Sequence, residues 1–376
     1  MKINHKLRYI LIVGIIFIIS ISIVLPVVLA KTRKTYLTDY LLDNEKDTGF
    51  TNSLKSDDIS YKATGYALEM LDFFELYEEP QLFGDAKINV NVSVFQTNLK
   101  NELTDFVKTM HSVYDLYYLL RANELVNSSI SSSVRNDIEL YISNMEQQDG
   151  GFGPTNTSTS ANLISTSYSI KILDVLDMDI DNADKHKDFI LSCINSNGGF
   201  GGNTSLDSTV ANTYYALNAL QILGDLDEIS DAENTIEYLN GYYVDNQADE
   251  VNYGGFLPGD ESEFCLLSST FFAIESIKLL DENELPNEST TEWVLNKQNF
   301  KDGGFFNYNG LDDQETSAVT NTYYAFHILK TYDEDLLYLD ENVWMVEFNW
   351  VVLIIILVGI GAVIGFGVWY WQQRRI

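Results

Sequence analysis

Basic residues are scarce in this chain of 376 residues. It carries 23 Lys and Arg against 55 Asp and Glu, with 4 His, for a net charge of −32. The imbalance deepens in the middle, where residues 31–343 hold 18 basic and 54 acidic side chains, a net charge near −36. Such a domain repels nucleic acid, phosphates and anionic lipid headgroups, so no nucleic-acid partner is expected. Cysteine is almost missing as well. Cys193 and Cys265 are too few for a disulfide framework or a cysteine zinc cluster, and they read as small buried apolar residues. Charge is absent altogether from one long stretch near each end. Tyr9 to Ala30 is uncharged and mostly Ile, Leu and Val, preceded by Lys2, Lys6 and Arg8. This predicts a signal peptide or signal-anchor helix over residues 1–30; Val28-Leu29-Ala30 offers a cleavage site, but the length suits an anchor.

Trp350 to Trp371 is the second uncharged stretch. With Trp344 and Trp350 before it and Trp369, Tyr370 and Trp371 at its end, it predicts a transmembrane helix with interfacial aromatics over 344–371. Asp340, Glu341 and Glu347 precede it, and Arg374 and Arg375 follow in a short basic tail, 372–376. The positive-inside rule then puts the tail in the cytoplasm. The expectation is a cell-membrane protein, single- or double-pass, with an acidic domain outside. Gly361 and Gly365 have the spacing that permits close helix–helix association, although glycine is common in membrane helices anyway.

The middle, 31–343, contains a repeat. An aromatic after a glycine turn recurs at Phe50, Phe152, Phe200, Phe256 and Phe305. A helix start of the form Thr-x-aromatic follows each, at Thr64, Thr166, Thr213, Thr270 and Thr322. A sixth start is read at Ser112, in a unit that has lost its glycine turn. The period is close to fifty residues, long enough for two helices. The helix from Thr213 is apolar nearly all round and should be buried. The helix before each turn, such as Asp188 to Ile194, keeps a polar face and should lie outside. Six helix pairs predict an all-α fold, an (α/α)6 toroid with an inner and an outer ring, with closure favoured over an open solenoid.

Phe189-Ile-Leu-Ser-Cys-Ile-Asn-Ser-Asn-Gly-Gly-Phe-Gly-Gly202 followed by Thr213-Tyr-Tyr-Ala-Leu217 resembles the repeat of protein prenyltransferase β subunits and of squalene and terpene cyclases. Gln147 to Gly153 and Lys301 to Phe305 resemble it too, and the resemblance spans nearly all of 35–340. It implies the toroid fold. It also implies, for the prenyltransferases, a zinc held by Asp, Cys and His. At those positions stand Ser268, Thr270 and Asn321, with Cys265 and His327 displaced along their helices, so zinc is not expected. The cyclase acid Asp-x-Asp-Asp is missing; the aspartates of 174–181 alternate at a helix end. The glycine-turn loops hold almost none of the basic residues that bind a diphosphate in the family.

Those loops carry acids instead, among them Asp207, Asp260, Glu261, Glu263, Asp312, Asp313 and Glu315. In a closed toroid they gather at one mouth. They suit helix capping and solvation, a cation site including Ca²⁺, or a carboxylate pair for glycoside chemistry. The aromatics Tyr66, Tyr168, Tyr215, Phe272 and Tyr324 are candidates to line the cavity, as aromatics line the isoprenoid pocket in the family; core packing is the alternative. The expectation is thus a membrane-anchored binding module for a hydrophobic, cationic or glycan ligand, without the zinc prenyl-transfer site. The alternatives are a diverged isoprenoid enzyme of the prenyltransferase or cyclase type and a glycan-active toroid. No cofactor is expected.

Overall fold

The computed structural model describes residues 28–76, 90, 92–110, 112–308 and 316–346, and the single positions 359, 361, 365, 369 and 373. These form two compact units, residues 34–338 and the two chain ends.

The larger unit alternates outer and inner helices. The outer set is α1 (Arg33–Asp43), α3 (Val92–Phe106), α5 (Ser132–Ser143), α7 (Ala183–Ser192), α9 (Ala232–Asn240) and α11 (Ser289–Leu295). The inner set is α2 (Tyr61–Phe73), α4 (Val113–Leu125), α6 (Leu163–Val175), α8 (Val210–Leu223), α10 (Leu267–Leu280) and α12 (Val319–Tyr332). Each inner helix packs on the next, and α12 packs on α2, so the ring closes. Burial follows the expected division. Helix α5 buries Val134, Ile138, Tyr141 and Ile142, one stripe at helical spacing. Helix α6 buries every residue from Ser165 to Leu173.

The recurrence of Phe and Thr has a direct physical cause. The buried hydroxyl of Thr213 accepts the backbone N–H of Phe200 at 3.0 Å and donates to Thr209 O at 2.9 Å. The same bond ties Phe50 to Thr64, Phe152 to Thr166, Phe256 to Thr270 and Phe305 to Thr322. It satisfies an amide that a plain turn would bury unpaired, at a cost of about 1–3 kcal/mol. At Gly198, φ is +83°, and a Cβ there would meet the Asn234 carbonyl of outer helix α9 at 2.5 Å. Gly150, Gly254 and Gly303 approach Lys185, Ser289 and Tyr36 in the same way, so these four glycine turns also dock their units on the next.

Helix N-termini are shared between neighbours. Ser60, Ser112, Asn162 and Thr209 cap their own helices through side-chain oxygens. Leu266 and Ala318 cannot. Asn307 and Asn52, from the following unit's loop, accept from Ser268 N at 3.4 Å and Thr320 N at 3.0 Å instead. For α12 the following unit is the first, so Asn52 helps close the ring.

Unit two corrects the sequence reading. Ser112 is the N-cap of α4, with its hydroxyl accepting from Asp115 N. The other anchors lie four residues past their caps, so Leu116 holds the threonine place in this unit. A leucine fits there because no glycine turn presents an amide to it.

In the unit formed by the chain ends, β1 (Val28–Thr32) pairs antiparallel with β4 (Asn342–Val346), Ala30 opposite Trp344. Arg33 bridges Glu341 at 2.8 Å. Residues 28–30 and 344–346 are thus strand, not parts of membrane helices as the spans 1–30 and 344–371 supposed. The remainder of both spans lies outside the described residues, apart from Gly359, Gly361, Gly365 and Trp369, each helical. Among the described residues no helix is long and apolar enough to cross a membrane. Around Gly361 and Gly365 the space a Cβ would take is open. A second ribbon, β2 (Glu45–Lys46) with β3 (Gly49–Phe50), forms the first turn of the larger unit.

Candidate ligand site on the ring axis

Counting from each inner-helix N-cap places like residues at like heights. Six residues on stand Tyr66, Tyr118, Tyr168, Tyr215, Phe272 and Tyr324, one from each inner helix. Neighbouring rings touch all the way round, with centroids 5.4, 5.8, 5.4, 5.7, 5.7 and 6.1 Å apart in that order, the last closing Tyr324 on Tyr66. The hydroxyls of Tyr66, Tyr118, Tyr168 and Tyr215 form a chain at 3.1, 2.7 and 3.2 Å. Phe272 interrupts that chain. Burial holds the phenols of Tyr66, Tyr118 and Tyr168 well above their usual pKa, so they stay neutral donors. The five aromatics singled out in the sequence do come together, and Tyr118 completes them. It was missed because Ser112 was set against threonine anchors rather than against caps.

Nine residues past each cap, one helical turn from the aromatic ring, lies a polar layer: Glu69, Arg121, Lys171, Asn218, Glu275 and His327. Glu69 is its hub. Its carboxylate accepts from His327 Nε2 at 3.1 Å and Tyr323 OH at 3.3 Å, and Arg121 lies 3.6 Å away. Burial pushes this carboxyl up, but His327, Arg121 and Tyr323 more than offset it and leave the pKa lowered. Arg121 also bridges Glu124 at 2.6 Å, and Glu275 accepts from Thr331 at 3.2 Å. Lys171 differs. It is 8% exposed and has no hydrogen-bond acceptor or ion-pair partner among the described residues. Its ammonium sits 5.3–5.8 Å from the ring centroids of Tyr117, Tyr168, Tyr214 and Tyr215. Burial pulls its pKa down to about 7.

On the loop side of the ring, Lys62 donates to Tyr324 OH at 3.0 Å, and burial lowers its pKa to about 8. The lumen therefore holds four basic side chains that a search of the loops could not find, because they stand within the inner helices. Tyr66, Tyr215, Glu69, Arg121 and His327 are each partly exposed, so solvent reaches the ring axis at the aromatic ring and the polar layer, a space we call the axial basin.

The acidic loop residues do not assemble in the same way. Asp207, Asp260, Glu261 and Glu263 are exposed, and their carboxylates join no hydrogen bond or ion pair among the described residues. They cap no inner helix. No three His, Cys, Asp or Glu among the described residues lie together as metal ligands. Asp312, Asp313 and Glu315 lie outside the described residues.

The model of the prenyltransferase alpha-alpha toroid domain matches residues 87–187, 160–262 and 258–348, well over half the chain. The chain belongs to the prenyltransferase α/α-toroid family. It is 28% identical over 167 residues to the geranylgeranyl transferase type-2 subunit beta of Saccharomyces cerevisiae, covering 44% of this chain and 49% of that one. The chain thus spans about half the length of that curated relative. Among solved structures it is similar to Candida albicans protein geranylgeranyltransferase-I complexed with GGPP, with a TM-score of 0.52, 18% identity, and 80% and 84% of the two chains covered. It is equally similar to the type II terpene cyclase MstE from Scytonema, with a TM-score of 0.52, 10% identity, and 81% and 97% covered. At those identities the structural likeness speaks for the fold alone.

Zinc, which the prenyltransferase toroids imply, does not fit the donors present. Ser268, Thr270 and Asn321 offer hydroxyls and an amide where thiolate, carboxylate and imidazole are needed. The Thr270 hydroxyl is already bonded to Phe256 N. Burial pushes the Cys265 thiol up to about 12, and His327 is held by Glu69.

Proposed function

We propose that this member of the prenyltransferase α/α-toroid family is a ligand-binding module that performs no zinc-dependent prenyl transfer. Its ligand is an apolar molecule with one polar, uncharged end, seated in the axial basin. The observation that carries this reading is the polar layer beneath the aromatic ring. In it Arg121 and His327 are already engaged by Glu69 and Glu124, and Glu275 adds a further carboxylate. A diphosphate would meet those carboxylates, whereas an isoprenoid alcohol would meet ring faces and hydrogen-bonding partners. The test is thermal unfolding of the full chain with farnesol or geranylgeraniol and with the matching diphosphates. A ligand at a hundred times its Kd adds about 2.7 kcal/mol, a shift of several degrees. The alcohols are expected to give it, the diphosphates not, and zinc to be far below one per chain. Stabilisation by the diphosphate together with one zinc per chain would overturn the reading.

A cyclase-type isoprenoid reaction is the second reading. The closed circle of six ring faces favours it, since π faces stabilise a passing carbocation. The glycan reading gains nothing from the exposed mouth carboxylates.

We also propose that the protein is held in the cell membrane, toroid outside, by the apolar stretch after β4 and by a retained first stretch. Cleavage after Ala30 would take Val28, Leu29 and Ala30 out of β1, which favours retention. Protease added to intact cells is expected to digest the toroid and to spare a short C-terminal fragment. An untouched toroid would reverse the topology. Gly361 and Gly365 remain a candidate seam for helix association in that segment.

A further inference from the structure

Lys171 is out of place as a structural residue. A buried ammonium normally finds a carboxylate, and here the two nearest in register, Glu69 and Glu275, are engaged by His327, Arg121 and Thr331. No acceptor among the described residues meets it, and four tyrosine rings wall it in. A lysine held in this way is a neutral amine for much of the time near pH 7, and a neutral amine is a nucleophile. An anionic ligand would supply a partner, but it would have to sit among Glu69, Glu275 and Glu124. A carbonyl compound avoids that repulsion because it is uncharged when it arrives.

We propose that Lys171 is a carbonyl-capturing amine that condenses with an aldehyde carried on an apolar ligand in the axial basin. The Nζ lone pair attacks the carbonyl carbon and a C–N bond forms. One nitrogen proton passes to the oxygen, a second leaves with the hydroxyl as water, and C=N replaces C=O. Protonation of that imine gives a cation spread over carbon and nitrogen, less hydrated than an ammonium. The faces of Tyr117, Tyr168, Tyr214 and Tyr215 already surround the nitrogen at cation–π distance. Lys62 is a poorer candidate, because its Nζ is committed to Tyr324 OH.

This deepens the reading of the basin as the ligand seat and rests on it. The test treats the full chain with citronellal, an isoprenoid aldehyde, and cyanoborohydride at pH 7, followed by intact mass and peptide mapping over time. An exposed lysine with a pKa near 10.4 is neutral about once in 2,500 at pH 7, against roughly half the time at Lys171. The expected result is reductive alkylation at Lys171 first, on the order of tenfold or more ahead of any surface lysine. Propanal, lacking the apolar body, should show less preference. The N-terminal amine also reacts near neutrality, and the peptide map separates it. K171R, checked for an unchanged melting profile, should lose the adduct. Modification of Lys171 no faster than surface lysines in the native chain overturns the proposal without any variant. If farnesol stabilises the protein while citronellal leaves Lys171 untouched, the covalent step fails and the binding reading stands. If neither binds, both fail.

Discussion

Alanine at Gly303 is expected to destabilise the toroid by about 3 kcal/mol or more, among the largest effects of any single change outside the core. Two costs coincide there. The backbone has φ +96°, which an L side chain adopts only at a cost of about 1–2 kcal/mol. A Cβ would also fall on the backbone carbonyl of Tyr36 in α1, and a helix backbone cannot step aside as a flexible side chain can. Two other glycines separate the terms. Gly224 has φ +80° with nothing within 4 Å of the added Cβ, so G224A should cost about 1 kcal/mol. Gly259 has open space and no positive φ, so G259A should stay within about 0.5 kcal/mol. Chemical denaturation of the three variants measures this order. Equal losses at Gly303 and Gly224 would mean that the contact with Tyr36 contributes nothing.

Lys171→Met is expected to act in the opposite direction and raise stability at pH 7 by roughly 2–4 kcal/mol. In the unfolded chain the lysine has a pKa near 10.4. In the ring burial brings it to about 7. Between those values the unfolded state holds a proton that the folded state lacks, so the wild-type chain gains stability as pH rises from about 7 to about 10. Below pH 7 both states are protonated and the penalty is at its full, constant value. The methionine variant lacks this term and fills the same space, so its advantage should shrink steadily toward pH 10. Urea unfolding at pH 7 and pH 9.5 reads both features. A residue that costs stability in this way points to a site rather than to a core. An unchanged or lower stability for the variant at pH 7 would show that Lys171 is comfortably solvated where it stands.

The ring was legible in the sequence because one hydrogen bond wrote it there five times. A threonine that must accept a phenylalanine amide, and a glycine that must approach a neighbour's backbone, tolerate few substitutes. Both therefore recur at a fixed interval. The second unit lost that bond, and with it the cue that separates an N-cap serine from an anchor threonine. The resulting slip of four residues hid Tyr118. The polar layer was harder still to see. Glu69, Arg121, Lys171, Glu275 and His327 are scattered singly, one to a helix, with nothing in the sequence to set them in register. Only a count from the caps, which burial and capping bonds locate, sets them at one height. The acids of the loops, conspicuous in sequence, turned out to be exposed wherever they are described.

Closure of the ring has a consequence for how the protein is made. Asn52 and Thr320 are 268 residues apart, and Glu69 and His327 are 258 apart. Joining ends so distant costs an entropy of about 4 kcal/mol beyond the cost of a short turn. It can happen only when nearly the whole domain has left the ribosome. Until then the nascent chain is an open spiral with the inward faces of α2 and its latest neighbour bare, the state in which such chains aggregate. An open solenoid can gain or lose a repeat at its ends, but this ring has none to lose. Because Glu69 and His327 come from the first and last units, the axial basin is assembled at the same moment, so ligand capture would report that synthesis had been completed.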